Sequence, residues 1–522
     1  MTHPPDETKA VLAKQKNSGY AIFFALLSGF LIFLSFPKHG LGFISWVAFV
    51  PLFIALRHAL TIRRALLLGF ITGFTAHVGL IYWIALVVVN YGYLPVWQGV
   101  TVMFLLAAYL GIYIAVFAAG VVFFRQKAPL FLVAPVLWVC LEYLKSHLLT
   151  GFPWANLGYS QYLNPPLIQL ADVGGVFILS FMILLLNVAF FEVITRRARQ
   201  TYALAFCVLI IWAGAYAYGV FKIRQVDRAL AEAPSMNVSL IQGNIDQSVK
   251  WNPANQEKTL NIYEELSSRQ PPSETGLIVW PETAVPFLYQ DPGTLQARVR
   301  ELPVATKSWL LFGSMSYASQ GQNADYFNSA YLLSPDGETS GKYDKVHLVP
   351  YGEYVPLRNV FPFINALTAG IGDFAEGAGY NVLTMGEKKI GVLICYEAIL
   401  PDAVRHYKRK GAELLVNITN DAWFGQTSAP YQHLSMAVFR SVESRLYLVR
   451  AANTGVSAIV DPKGRVTAKT EIFTSDALAG SVQFPAMPTI YAKYGDWFVW
   501  MNYFLLIGMI LLRMIWRSKH VR

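Results

Sequence analysis

Long apolar segments separated by short loops are the feature that most limits what this chain can fold into. A helix that crosses the hydrocarbon core of a bilayer needs about 20 predominantly apolar residues. Eight segments approach or exceed this length, the first two being short, and they lie at about 19–36, 41–57, 65–88, 97–123, 128–147, 174–195, 201–220 and 497–516. The sequence is 55% hydrophobic and 14% charged, whereas a soluble domain has about 25% charged residues. The pattern predicts a polytopic α-helical membrane bundle with about 8 transmembrane helices.

Basic residues occur in alternate loops between these segments, which indicates the orientation of the chain in a membrane. They are Lys9, Lys14, Lys16, Arg57, Arg63, Arg64, Arg125, Lys127, Arg196, Arg197, Arg199, Arg517, Lys519 and Arg522. The other loops carry only Lys38 and, at the edge of one of them, Lys145. Because basic loops stay in the cytoplasm, we expect both termini there and the region between the seventh and eighth segments on the opposite face. The net charge of +10 then reflects orientation, and no nucleic-acid partner is expected.

Residues 222–492 have the pattern of a soluble α/β domain. Short apolar runs bounded by turn residues alternate with helical stretches, which is typical of layered α/β domains. The runs lie at 237–245, 276–284, 309–317, 328–337, 388–397, 412–421 and 454–464, and the helical stretches near 254–268, 291–305, 400–410 and 430–444. Several runs are apolar almost throughout, which indicates sheets covered on both faces. We predict three parts: a membrane bundle of seven helices (1–221), an extracytoplasmic α/β domain (222–492), and a closing transmembrane helix with a cytoplasmic tail (493–522).

Three of the predicted strands end at a residue that can take part in covalent chemistry. The apolar run 391–394 is followed by Cys395, and the run 276–284 carries Glu282 near its end. Lys345 lies in a loop rich in aromatic residues and prolines. Taken singly, a free cysteine is often a small core residue, and an acid or a lysine is usually a solvated surface charge. If the strand ends converge, the carboxylate can take the proton of a thiol whose reference pKa is about 8.5. The lysine and the amide after the cysteine can then stabilise a tetrahedral oxyanion.

The motifs around these residues resemble the nitrilase superfamily, whose members split or form C–N bonds. The motifs are WPETA (280–284), YDKVHLVPYGEYVP (343–356) and CYEA (395–398). Three more motifs extend the likeness over essentially the whole chain to the apolipoprotein N-acyltransferase family: QGNIDQSVKW (242–251), NITNDAWFG (417–425) and TGFPWANLGYSQ (150–161). The resemblance implies a nitrilase-like αββα sandwich for the extracytoplasmic domain.

The same resemblance implies a role for individual residues of the motifs. It makes Glu282 the general base, Lys345 the cation that stabilises the oxyanion, and Cys395 the residue that is acylated. It also implies a supporting carboxylate and three residues that shape the site, which are Glu353, Tyr396, Glu397 and Trp251.

The function implied is the final step of lipoprotein maturation in the bacterial inner membrane. An acyl chain would pass from a phospholipid to a cysteine thioester, and then to the N-terminal α-amino group of the diacylglyceryl-cysteine of an apolipoprotein. The partners expected are the phospholipid donor, the diacylated acceptor and the bilayer, with the protein a monomer and its catalytic domain periplasmic.

Two other interpretations are weighed against this one. A membrane-anchored nitrilase-type amidase would release the acyl group to water, although eight spans are more than a tether needs. A transporter or lipid-binding scaffold is disfavoured because the first seven segments contain few ionisable residues of the kind that mark ion pathways. Glu142 and His77 are exceptions and are interpreted as packing or interfacial groups.

Neither a metal nor a cofactor is expected. His347 and His433 are isolated in the sequence, and metal ligands normally occur at short characteristic spacings. The chain also has no glycine loop of the kind that cradles phosphates. The apolar, glycine-containing stretch 363–374 is either a lid that gates lipid entry or a packed surface loop.

Overall fold

The computed structural model describes residues 7–57, 59, 61–125, 127–269, 276–320, 323–350, 352–354 and 374–519. The stretch 363–374, considered above as a lid, lies outside these residues except for Phe374. The described chain begins with a helical bundle, continues into two β-sheets with helices on their outer faces, and ends with a long helix.

The N-terminal part consists of apolar helices joined by short connections. The helices are α1 (Glu7–Leu34), α2 (Val50–Arg57), α3 (Ile62–Leu80), α4 (Trp83–Tyr91), α5 (Val96–Phe124), α6 (Leu130–His147), α7 (Pro165–Ile168), α8 (Ala171–Thr195) and α9 (Arg199–Glu232). Helices α3 and α5 approach closely because glycines face each other across the contact. A methyl group on Gly73 would come within 2.8 Å of the Cα atom of Gly111, and such small residues are typical of helix contacts in membranes.

The eight predicted apolar segments coincide with helices, but not all of these are long. Among the described residues, five helices are long and apolar enough to cross a membrane: Val96–Phe124, Leu130–Thr150, Ala171–Thr195, Arg199–Glu232 and Trp497–Ile515. A sixth candidate is the pair α3 and α4, which is bent by 53° where one unbroken segment was predicted. The first two segments correspond to the shorter apolar helices Gly19–Leu34 and Gly42–Arg57.

The part of the chain after α9 forms, in the described residues, two six-stranded sheets. The strands are β1 (Ser235–Gln242), β2 (Leu277–Val279), β3 (Trp309–Gln320), β4 (Asn323–Leu333), β5 (Thr339–Asp344), β6 (Leu383–Met385), β7 (Lys388–Ile394), β8 (Leu414–Thr419), β9 (Tyr447–Ala452), β10 (Ala458–Val460), β11 (Val466–Lys469) and β12 (Asp476–Gln483). The strand orders are β12-β1-β2-β3-β4-β5 and β11-β10-β9-β8-β7-β6. The strands β1–β2–β3 and β7–β8–β9 run parallel, whereas the outer pairings are antiparallel.

Helices cover the outer faces of both sheets, so the predicted α/β sandwich is confirmed. On the first sheet, α10 (Gln256–Ser268) and α11 (Thr294–Thr306) bury Tyr263 and Leu302 in one core with Phe312 of β3. On the second sheet, α12 (Pro401–Arg409) packs so closely that a side chain on Gly391 of β7 would meet Tyr407 at 2.6 Å. The sheets covered on both faces explain why their strands are apolar almost throughout.

Helix α9, rather than a long loop, carries the chain from the bundle to the sandwich. Helix α9 continues to Glu232, and β1 begins three residues later. The predicted boundary after residue 221 therefore lies inside α9. The last turns of this helix are polar, so hydropathy does not mark them as part of the bundle. The second predicted boundary, after residue 492, lies inside α14 (Ile490–Tyr494), which precedes α15 (Trp497–Lys519).

A buried ion pair ties the sandwich to the bundle. Arg445 follows α13 (Ala429–Ser444), and its Nη2 atom donates to the Oδ2 atom of Asp172 at the start of α8 at 2.7 Å. The Arg445 Nη1 atom also donates to Oε1 of Gln169 at 2.6 Å. Asp172 accepts a further hydrogen bond from the hydroxyl of Tyr218 in α9 at 2.7 Å. Removal of one member of such a pair leaves an uncompensated buried charge.

We expect Asp172→Asn to destabilise the protein by about 3–5 kcal/mol, because Arg445 would keep its buried charge without a carboxylate. The measurement is the midpoint of thermal unfolding in detergent. Asp336→Asn, on the exposed turn between β4 and β5, is the matched control and should leave the midpoint unchanged. Equal midpoints for both variants would contradict a structural role for the ion pair.

Candidate active site

The three strand-end residues singled out from the sequence meet between the two sheets. Glu282 follows β2, Lys345 follows β5, and Cys395 follows β7. The charges of Glu282 and Lys345 both act on the pKa of the Cys395 thiol, with opposite signs. The structure therefore brings a buried carboxyl group, a buried ammonium group and a half-buried thiol close together.

Glu282 is a buried carboxylate held by N–H donors on both oxygens. The side-chain amide of Asn328 donates to its Oε1 atom at 2.7 Å, and the backbone N–H of Asn420 donates to Oε2 at 2.9 Å. Burial raises the pKa of Glu282, and the neighbouring Glu353 carboxylate raises it further, while Lys345 opposes the rise. A carboxylate with a raised pKa is better suited to accept a proton than a surface acid.

Lys345 is 1% exposed and forms an ion pair with Glu353. Its Nζ atom lies 2.7 Å from Oε2 of Glu353. Burial alone would lower the pKa of Lys345, but the carboxylates of Glu353 and Glu282 outweigh burial and raise it. The lysine is therefore a permanent positive charge inside the site.

Glu353 is placed by the same network that holds Glu282. Its Oε1 atom accepts from the side-chain amide of Asn328 at 2.8 Å, and its Oε2 atom accepts from the backbone N–H of Val349 at 2.9 Å. One amide group thus bridges the two carboxylates. Glu353, predicted as a supporting carboxylate, thus contacts Lys345 and shares the Asn328 amide with Glu282.

Cys395 stands at a sharp change of backbone direction. It has a φ of +52°, in the left-handed region, and begins a single turn of 3-10 helix, Cys395–Ile399. Left-handed conformations are uncommon outside glycine, and they concentrate at functional sites. Burial raises the pKa of the Cys395 thiol, and the Glu282 carboxylate raises it further, against the effect of Lys345. The resting thiol is therefore protonated, and it needs a base to become a nucleophile.

Glu397 connects the loop after β5 to the turn at the cysteine. Its Oε1 atom accepts from the Tyr343 hydroxyl at 2.9 Å and from the backbone N–H groups of Val346 and His347 at 2.9 and 3.0 Å. Its Oε2 atom accepts from the backbone N–H of Ile394 at 2.8 Å. Burial raises the pKa of Glu397 to about 6, although these hydrogen bonds favour the charged form. Lys345 directly precedes Val346, and Cys395 directly follows Ile394. These hydrogen bonds of Glu397 therefore also fix the positions of Lys345 and Cys395.

The other two predicted site residues differ in their distance from this network, since Tyr396 directly follows Cys395 and Trp251 lies at the surface. Tyr396 is half-buried, and its ring stacks on that of His347 with centroids 5.8 Å apart. Trp251 is a surface residue with 42% of its area exposed. The described contacts do not bring Trp251 to the three central residues.

Several residues of the site were not singled out from the sequence. Lys250 is fully buried, and its Nζ atom donates to the carbonyl oxygen of Glu282 at 3.2 Å and to the Thr283 hydroxyl at 2.6 Å. Burial lowers the pKa of Lys250 to about 8, against the attraction of Glu282. The bridging Asn328 was also missed. Lys250 lies in the motif 242–251, and Asn328 begins the predicted run 328–337. Nothing in a single sequence, however, indicates that either side chain contacts Glu282.

Comparisons with known proteins agree with the resemblance found in the motifs. Residues 28–189 match the family model of the apolipoprotein N-acyltransferase N-terminal domain, and residues 237–488 match that of carbon-nitrogen hydrolases. A solved structure from Saccharomyces cerevisiae, a member of branch 10 of the nitrilase superfamily, is similar at 19% identity and a TM-score of 0.38. It corresponds to 48% of this chain and 90% of that one.

Two relatives, both named apolipoprotein N-acyltransferase, match nearly the whole sequence. The relative from Geobacter metallireducens is 46% identical over 483 residues, which cover 91% of this chain and 92% of the relative. The relative from Nitrosomonas europaea is 33% identical over 500 residues, which cover 95% of this chain and 96% of the relative. With both family domains in this order, the chain belongs to the apolipoprotein N-acyltransferase family.

Proposed function

We propose that this protein moves an acyl chain from a membrane phospholipid to an apolipoprotein through a thioester on Cys395. The acceptor is the N-terminal α-amino group of a diacylglyceryl-cysteine. The observation that carries the proposal is the convergence of Glu282, Lys345 and Cys395 in a chain that also matches the N-terminal domain of its family. The name shared by the relatives supports the same reaction.

In the first half-reaction, the Cys395 sulfur attacks the ester carbonyl of the phospholipid as Glu282 takes the thiol proton. The ammonium of Lys345, assisted by the backbone N–H of Tyr396, stabilises the oxyanion of the tetrahedral intermediate. The C–O bond then breaks, and Glu282 returns the proton to the departing lysophospholipid oxygen. The product is an acyl thioester on Cys395, with the proton balance of the site restored.

In the second half-reaction, the neutral α-amine of the acceptor attacks the thioester carbonyl. Glu282 removes a proton from the attacking nitrogen, and the same donors stabilise the second oxyanion. The C–S bond breaks, and the proton held by Glu282 returns to the sulfur. Because both substrates are bulky lipids, we expect them to use one pocket in turn, by a ping-pong mechanism.

An amidase would use the same residues but deliver the acyl group to water. The bundle argues against this alternative, because a thioester facing lipid rather than solvent is protected from hydrolysis. We further propose that the protein is a monomer of the bacterial inner membrane. The sandwich would lie on the periplasmic side, where both lipid substrates have their acyl tails within reach of the bundle.

The thioester can be tested directly with the purified protein. Given a phospholipid with a labelled acyl chain and no acceptor, the protein should accumulate one acyl group on Cys395, which hydroxylamine should cleave. A diacylated peptide with a free N-terminal amine should discharge the adduct into an amide, whereas its N-acetylated form should not. Rapid release of free fatty acid, unaffected by the amine, would favour the amidase.

The same assay tests the three central residues. Cys395→Ala should abolish adduct formation, and Glu282→Gln and Lys345→Met should each slow it by about 10²–10⁴-fold. Thermal unfolding in detergent serves as the control for folding. A variant that reacts at the wild-type rate would remove that residue from the mechanism.

The charge of Lys250 should tune the base. Lys250 lowers the pKa of Glu282, so Lys250→Gln, which keeps a hydrogen-bond donor without the charge, should raise that pKa. Because the base acts when deprotonated, the acidic limb of adduct formation should move to higher pH by about one pH unit. The difference should fade above pH about 8, where Lys250 itself loses its proton. Lys258→Gln, on the exposed face of α10, is the control, and an unchanged limb for Lys250→Gln would contradict the coupling.

The orientation can be tested with two reporters. The basic loops predict that a fluorescent protein fused after Arg522 folds in the cytoplasm. Alkaline phosphatase inserted after Asp336, on the exposed turn between β4 and β5, should be active only outside it. The reverse result for either fusion would contradict the proposed orientation and the periplasmic site together.

A further inference from the structure

We propose that His433 is a positioning residue that aims the backbone N–H of Tyr396 at the oxyanion. This inference rests on the proposed acyl transfer, and it assigns a role to a histidine that looked isolated in the sequence. His433 lies on α13, 38 residues after the cysteine, and its ring is buried between the second sheet and the bundle.

The ring of His433 contacts the backbone of the candidate nucleophile, rather than its sulfur. The Nε2 atom lies 3.2 Å from the carbonyl oxygen of Cys395. A carbonyl oxygen can only accept a hydrogen bond, so Nε2 is the nitrogen that carries the proton in this contact.

The other side of the ring is fixed by an ion pair. Arg450 donates from Nη2 to Oδ2 of Asp421 at 2.7 Å. The Nδ1 atom of His433 lies 3.1 Å from Nη2 of Arg450 and 3.1 Å from Oδ1 of Asp421. Burial disfavours the charged form of Asp421, but Arg450 and His433 hold the pKa of Asp421 well below its usual range. Burial and the charge of Arg450 lower the pKa of His433, against the effect of Asp421. Both members of the ion pair thus hold the ring at Nδ1, which leaves Nε2 facing the carbonyl of Cys395.

The contact matters because a peptide group is rigid. The carbonyl of Cys395 and the N–H of Tyr396 belong to one planar unit, so a donor on the carbonyl also sets the direction of the N–H. The φ of +52° at Cys395 is uncommon for a residue other than glycine, so the surrounding contacts must stabilise it. A hydrogen bond to the carbonyl also polarises the peptide, which makes the N–H a stronger donor.

A purely structural role for His433 is the alternative to be excluded. The ring packs near Trp154 of the bundle and Phe424, with centroids 5.7 and 6.3 Å away. A substitution that merely disturbed this packing would affect every reaction of Cys395. A loss of oxyanion positioning would affect only the reactions that form an oxyanion.

Two reactions of the same thiol separate these roles. Acylation by a labelled phospholipid in detergent micelles passes through a tetrahedral oxyanion, whereas alkylation by iodoacetamide is a displacement that does not. His433→Phe keeps a ring but removes the N–H, and we expect acylation to slow by about 10²-fold while alkylation keeps its rate. His433→Gln places an amide N–H near the position of Nε2 and should restore much of the acylation.

His433→Leu is the second variant, in case the phenylalanine does not fit, and thermal unfolding identifies any variant that fails to fold. His406→Leu, on the exposed side of α12, is the control and should change neither reaction. Acylation and alkylation that fall together, or acylation that keeps its wild-type rate in both apolar variants, would overturn the inference. A wild-type protein that is alkylated but never acylated would instead overturn the proposed function, and with it this role of His433.

Discussion

The burial of Lys345 is the constraint on which the rest of the site depends. An ammonium group removed from water tends to lose its proton unless negative charge surrounds it. Glu353 and Glu282 supply that charge, and they are themselves buried. Their oxygens are in turn occupied by N–H donors, with the single amide of Asn328 serving both carboxylates. The set is therefore stable only as a whole, because each charge compensates the burial of another.

Hydrogen bonds to one further carboxylate, that of Glu397, hold these charged groups next to Cys395. Lys345 follows a strand of the first sheet and Cys395 a strand of the second. Glu397 joins the two, since it accepts from the N–H groups of Val346 and Ile394. Hydrogen bonds, which are directional and short, thus help to fix the relative position of cation and thiol. Catalysis by fixed charges requires such placement before the substrate arrives.

Helix α13 gives the site a physical link to the bundle. Almost every residue of this helix is buried, because one side faces the second sheet and the other faces the N-terminal helices. Two adjacent residues of this helix, Gln432 and His433, contact different parts of the protein. Gln432 accepts from the Trp154 indole at 2.7 Å, whereas His433 reaches the carbonyl of Cys395. The bundle of apolar helices and the domain that carries the thiol are therefore one continuous packed structure.

Most of the architecture could be predicted from the sequence, because the signals involved are local. The length of an apolar run determines whether a helix can cross a bilayer. All eight predicted runs coincide with helices. The apolar runs around Glu282 and before Cys395 indicated strands there, and the structure brings both residues together with Lys345. The resemblance of the surrounding motifs supplied the family, which the relatives confirm.

Only the tertiary structure decided which other residues join the site. The break between α3 and α4 interrupts no apolar run, and the polar end of α9 has the hydropathy of the soluble domain that follows it, so the sequence showed neither. Asn328 and His433 likewise look unremarkable, since their partners lie 46 and 38 residues away. A hydrogen bond between distant residues depends on distances that exist only after the sheets have packed, and composition and spacing carry no record of those distances.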